Sequence, residues 1–219
     1  MNLGRAQIGA RGEQKLRTRQ HLLDAVLRLV ESGRGFASLS LREVAREAGV
    51  VPAAFYRHFE SLDQLGLALV EECGVTLRRL LRDARRKGLA PTQILRSSVE
   101  IYHAHVKENR LHYLFTAGAR GSTPTIRKAL RLEESHFANE MAQDMRDLGL
   151  LPSMPMDDLQ MICRLVVTTM MNAATDILDL PPNNAQQERE LIDNFVRQLR
   201  LIFLGARLWK SPSPSTARG

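Results

Sequence analysis

The chain has 219 residues, enough for one compact domain or for a small domain joined to a larger one. Aromatic residues make up only 5% of it, and the stretches between Gly and Pro are long and helix-patterned, which predicts an all-α protein and excludes a sheet-based fold. The net charge of +7 is uneven: residues 1–88 hold 16 Lys and Arg against 10 Asp and Glu, whereas residues 89–219 hold 15 against 14, so the basic end is N-terminal and suits a polyanion such as nucleic acid.

Residues 1–12 carry three Gly and two Arg without an apolar period and are read as a flexible basic arm. A first helix is expected from about Glu13 to Ser32, with Leu16, Leu23, Val26, Leu27 and Val30 as its core stripe and Gly33 at its end. Ser40-Leu41-Arg42-Glu43 is a capping box that opens a second helix, which Gly49 closes. Pro52 can start a third helix, Pro52 to Phe59, because its missing amide would have had no partner there. A long fourth helix follows from Leu62 to about Arg86, with Leu62, Leu65, Leu69, Cys73, Leu77, Leu80 and Ala84 along one side. Further helices are expected near 91–108, 110–119, 124–148, 156–179 and 186–208, and residues 211–219 read as a disordered tail. This divides the chain into the arm (1–12), a helix-turn-helix domain (13–60), an effector-binding and dimerisation domain (61–210) and the tail.

Cys73 and Cys163 lie far apart inside apolar runs, so neither a disulfide framework nor a clustered metal site is suggested. With no signal-type leader and no run of roughly 20 apolar residues, a cytoplasmic protein without a membrane partner is expected. His103, His105 and His112 lack a carboxylate or thiolate at zinc spacing, which argues against metal. Gly118–Ser122 is not the Gly-x-Ser-x-Gly elbow of a hydrolase, so neither an enzyme nor a bound cofactor is expected.

The informative segment is FASLSLREVAREAGVVPAAFYRHF, residues 36–59. Two short helices joined by a tight Gly turn let the first brace the backbone while the second lies in a major groove. Val44 and Ala45 face the crossing, and Gly49 takes the left-handed backbone that disfavours a Cβ. On the third helix Ala54, Phe55 and Phe59 plug the domain, leaving the other side for DNA. There Tyr56 and His58 suit phosphates, Pro52 and Ala53 can touch thymine methyls, and Arg57 or Arg42 can read guanine or hold phosphate. Ser40, Arg17 and Arg19 complete the candidate DNA-binding set.

The Leu41–Val50 stretch and the Tyr56–Phe59 end resemble the TetR family of bacterial repressors. The resemblance implies an all-α homodimer in which helices one to three bind a palindromic duplex operator and the remainder takes a small effector. More narrowly, FASLSLREVAREAG, FYRHF and the Leu62–Leu67 start of the fourth helix resemble the repressors of fatty-acid unsaturation, the FabR- and DesT-like branch, which implies long-chain acyl-CoA as effector. A different hydrophobic effector, in a regulator of efflux or metabolism, is the alternative. Leu62 departs from the family, which often places a phosphate-binding Lys there; Arg11, Lys15, Arg17 and Arg19 are the substitute source of charge.

Residues 99–119 and 156–175 hold more apolar side chains than one stripe needs, and Met145, Met156, Met161, Met170 and Met171 offer a pliable lining. The candidate ligand residues are Val99, Tyr102, His103, Val106, Tyr113, Phe115, Met145, Val166 and Met170, with Arg120 in the 120–124 turn placed to meet the phosphates of a CoA group. Ile192, Phe195, Val196, Leu199, Ile202, Phe203, Ala206 and Trp209 make a stripe too wide for one neighbour. That stripe, with helix 156–179, is read as a four-helix seam across a twofold axis.

Overall fold

A computed structural model of the chain describes residues 3–88, 90–119 and 121–211, with side chains from Gly12 onward. The expected tail from 212, the first two residues of the arm, and Arg120 lie outside the described residues. Among the described residues there are helices and turns and no strand, so the fold is all-α. The helices are α1 (Leu3–Glu31), α2 (Leu41–Glu47), α3 (Pro52–Phe55), α4 (Leu62–Arg85), α5 (Pro91–Glu108), α6 (Arg110–Ala119), α7 (Pro124–Asp147), α8 (Met156–Leu178) and α9 (Ala185–Leu208), with a short 3₁₀ turn at Phe36–Ser38. The first helix therefore starts before the expected Glu13, and α3 is only one turn long.

The chain forms two compact units, residues 1–73 with 110–130, and residues 74–109 with 131–219. The first unit thus runs past the expected boundary at residue 60 and recruits α6 and the start of α7. Its core holds Leu22, Leu23 and Val26 of α1, Val44 of α2, Phe55 and Phe59 around α3, Leu65 and Leu69 of α4, and Phe115 and Ile126. Each such side chain contributes roughly 1.5–3 kcal/mol of apolar burial. Phe115 meets Phe36 edge to face, with ring centroids 5.2 Å apart. Leu16, expected on the α1 stripe, is 69% exposed, because the core starts only at Leu22. Gly66 is required by a close approach: a Cβ there would lie 2.7 Å from both Phe36 and Ile126.

In the second unit α5, α8 and α9 pack on one another. The C-terminal half of α4 is tied to α7 by a ladder of ion pairs, Arg78 to Glu133 and Glu140, Arg82 to Glu140, and Arg85 and Arg86 to Asp144. Leu80, expected to be buried, is partly exposed at 37%. At that level Leu77 and Leu81 turn inward instead. Contrary to the sequence expectation, α8 is long and apolar enough by composition to cross a membrane. Its Leu159, Ile162, Cys163, Val166 and Val167, however, are buried within this unit.

The α9 stripe is also corrected. Phe195, Leu199 and Ala206 are buried inside the unit itself, and Ile192, Val196, Ile202 and Phe203 are half-buried. The apolar residues left facing outward are Leu201 and Leu208 on α9 and Trp209 at its end, with Met161 and Leu165 on α8, while the half-exposed Leu204 borders the cavity.

Candidate nucleic-acid interface and effector cavity

The α2–α3 pair is built by local rules. At the start of α2 the Ser40 hydroxyl accepts from the Glu43 amide at 3.2 Å while the Glu43 carboxylate accepts from the Ser40 amide at 2.9 Å. Bonds donated to the Glu43 carboxylate by the Ser40 hydroxyl and then by its amide, with a lesser contribution from Arg34, hold that carboxyl below its ordinary range. The helix closes where the Val50 amide donates to Ala45 O at 2.9 Å and the Gly49 amide to Arg46 O at 3.1 Å. That is a Schellman closure, and Gly49 adopts φ +69° within it. Pro52 then opens α3, and Tyr56 to His58 continue it as tighter turns, through bonds such as His58 N to Phe55 O at 2.9 Å.

Phe55 and Phe59 point into the core, while Val51, Pro52, Ala53, Tyr56 and Arg57 stand exposed, and Arg42 on α2 is exposed as well. His58 is half-buried. Its imidazole is pushed below its ordinary value by burial first, then by the neighbouring charges of Lys15, Arg19 and Arg57. Together these residues offer cations and hydrogen-bonding groups with a small apolar tip, able to meet phosphates and base edges.

The second unit holds a half-open cavity of about 520 Å³ between α4, α5, α7, α8 and α9, within the usual range for small-molecule sites. Its interior is aliphatic, aromatic and thioether. Leu77, Leu95, Phe137, Met141, Val166 and Phe203 are typical of the wall.

Residues 22–69 match the family model of bacterial regulatory proteins, tetR family. The matched residues cover the α2–α3 pair with the second half of α1 and the start of α4. The chain as a whole superposes on solved structures of like architecture. One is a putative TetR-family regulator from Syntrophomonas wolfei, with a TM-score of 0.71, 15% identity, and cover of 86% of this chain and 95% of that one. Another is a putative transcriptional regulator from Pseudomonas aeruginosa, with a TM-score of 0.68, 19% identity, and cover of 88% and 93%. A third is FadR from Bacillus subtilis in complex with stearoyl-CoA, with a TM-score of 0.64, 15% identity, and cover of 85% and 98%. At such identities the likeness is one of fold: TetR-like, all-helical, with an N-terminal helix-turn-helix domain and a C-terminal helical domain.

Among the matched residues, Arg42, Pro52, Ala53, Tyr56 and Arg57 are exposed and His58 is half-buried. Ser40 is taken up by the cap, its hydroxyl also donating to Glu43 at 2.8 Å. Arg17 is exposed and pairs with Glu13 at 3.4 Å. Arg19 turns inward, bonding Glu72 at 3.0 Å and lying over the Phe59 ring at 5.2 Å, so it braces the unit and does not reach outward.

Of the expected ligand residues, Val99, Tyr102, Met145, Val166 and Met170 do line the cavity. Tyr113 and Phe115 do not: both belong to the first unit, where Phe115 is core. His103 and Val106 are buried on α5 without forming part of the cavity wall. Burial holds the His103 imidazole below its ordinary value, against the nearby Glu188 carboxylate. The turn expected to bind phosphate is a cap: the Thr123 hydroxyl accepts from the Ile126 amide at 3.4 Å and donates to Asp63 at 3.0 Å. Sequence reasoning missed Met141, Phe203 and three wall arginines, Arg85, Arg200 and Arg207. The seven-residue spacing of Arg200 and Arg207, around Phe203 and Leu204, was the available signal.

Proposed function

We propose that this protein is a dimeric, DNA-binding transcriptional regulator whose second unit binds a hydrophobic effector, with long-chain acyl-CoA as the leading class and fatty-acid desaturation or membrane lipid balance as the regulated process. The observation that carries the DNA reading is the exposed Pro52–Arg57 side of a Schellman-closed helix pair inside the stretch that matches the tetR family. The apolar cavity supports a ligand with a long aliphatic body, and the acyl-CoA assignment draws on the resemblance to the fatty-acid-unsaturation branch and on the stearoyl-CoA held by the Bacillus subtilis relative. A second copy laid against Leu201 and Leu208 of α9 and Met161 and Leu165 of α8 would bury their apolar surface in a four-helix seam. The twofold would bring two α3 segments to successive major grooves about 34–36 Å apart. Effector then acts only through unequal affinity for the DNA-competent and DNA-incompetent forms.

Binding-site selection from random duplex DNA, followed by gel shift of the Tyr56→Ala/Arg57→Ala variant, tests this reading. Wild type should enrich a palindrome, and the variant should lose it while sedimenting as the same dimer. A variant that binds as well as wild type removes α3 from its assigned role. Acyl-CoA should shift operator affinity at fixed salt.

A further inference from the structure

The cavity wall carries a charge pattern that its apolar interior does not require. Arg85, Arg200 and Arg207 line it, and among the described residues no Asp, Glu or Lys does. Arg85 is 8% exposed and held by Asp144, its Nε and Nη2 donating to one carboxylate oxygen at 3.0 and 2.5 Å. Arg200 and Arg207 differ. No acidic residue lies between Asn194 and Leu208 on α9; Asp193, just before that stretch, pairs with Arg96, and Asp158 of α8 accepts from Trp209, just after it. Both residues line the cavity from α9, two turns or about 10 Å apart along the axis, with Phe203 and Leu204 between them on the wall.

We propose that the cavity selects amphipathic anions, with an aliphatic chain in the interior and a carboxylate or phosphate held by Arg200 and Arg207. The inference rests on the hydrophobic-effector reading above and adds the sign of the head group and the residues that read it. Guanidinium forks suit both oxyanions, and the same pair repels a lipophilic ammonium ion. A single carboxylate meets one guanidinium at a time, whereas the several phosphates of a CoA thioester can span both. The proposed anion subsite accordingly lies on α9.

Titration calorimetry on the full-length protein, with dodecanoate, dodecanoyl-CoA, dodecanol and dodecyltrimethylammonium below their critical micelle concentrations, tests the proposal. Both anions should bind at least tenfold more tightly than dodecanol, and the ammonium more weakly still. The Arg200→Gln/Arg207→Gln variant should lose about tenfold for the anions and nothing for dodecanol, and added salt should weaken only the anions. Gln keeps helix propensity at these exposed positions, so an unchanged melting temperature verifies the fold. If the thioester loses more than the carboxylate, phosphate is the preferred group; an equal loss shows that the pair reads either oxyanion. Equal binding of all four chains, or anion binding unmoved by the double variant, overturns the anion subsite while leaving a hydrophobic effector in place. No binding of any chain overturns both.

Discussion

Replacing Phe115 with Ala asks whether α6, distant in sequence from the helix-turn-helix, is part of its core. The ring is 1% exposed, packs edge to face on Phe36 at 5.2 Å, and shares its cluster with Leu23, Leu65 and Ile126. Truncating a buried Phe costs about 3–5 kcal/mol, part of it the aromatic pair at roughly 0.5–1.5 kcal/mol. Because whole domains are stable by only about 5–15 kcal/mol, this loss removes a large share of the first unit's stability. The assay is native-state hydrogen exchange read by mass spectrometry at one protein concentration, with urea unfolding beside it. Peptides covering 22–30 and 41–59 should lose protection by the stated amount and operator affinity should fall with them, while Phe115→Leu keeps most of both. Unchanged exchange in those peptides, with loss confined to α5 and α8, would refute the assignment of α6 to the first unit.

In the second unit, Asp144→Asn strands the buried Arg85 charge and should lower stability by about 3 kcal/mol in urea titration, whereas Arg86→Ala, at the half-exposed partner, should lower it by less than about 1 kcal/mol. Burial is the first cause holding His58, His103 and His112 below the ordinary imidazole value of 6.5. The unfolded chain therefore binds more protons below that pH, so the urea midpoint should be constant above about pH 7 and fall as pH drops through 6.5 and below; a midpoint that rises on acidification contradicts the burial. Burial raises the Cys73 and Cys163 thiols to about 11 and about 12, so neither should react with a disulfide reagent at pH 8 until the chain unfolds.

Much of the local structure was legible in the residues. The Ser40 box, the left-handed Gly49, Pro52 at a helix start and the Asn109 break are each decided within a few residues by hydrogen-bond and steric rules, and the structure places them where those rules point. The sides of the α3 segment followed as well, since Phe55 and Phe59 are the large apolar groups that must leave water. The single turn of α3 was not foreseen, because propensity does not set where an α-turn tightens.

What the sequence determined by itself was the helical class, most helix ends and the exposed face of the α3 segment, all of which depend on neighbours in the chain. Tertiary structure alone decided which partner each apolar stripe meets. Helices such as α6 and α9 carry more apolar residues than one contact uses, and periodicity marks a stripe without naming what covers it. So Phe115 entered the first unit's core, Phe195 and Leu199 were buried within the second unit while Leu201 and Leu208 faced outward, and Arg200 and Arg207 became cavity wall through packing among helices far apart in the chain.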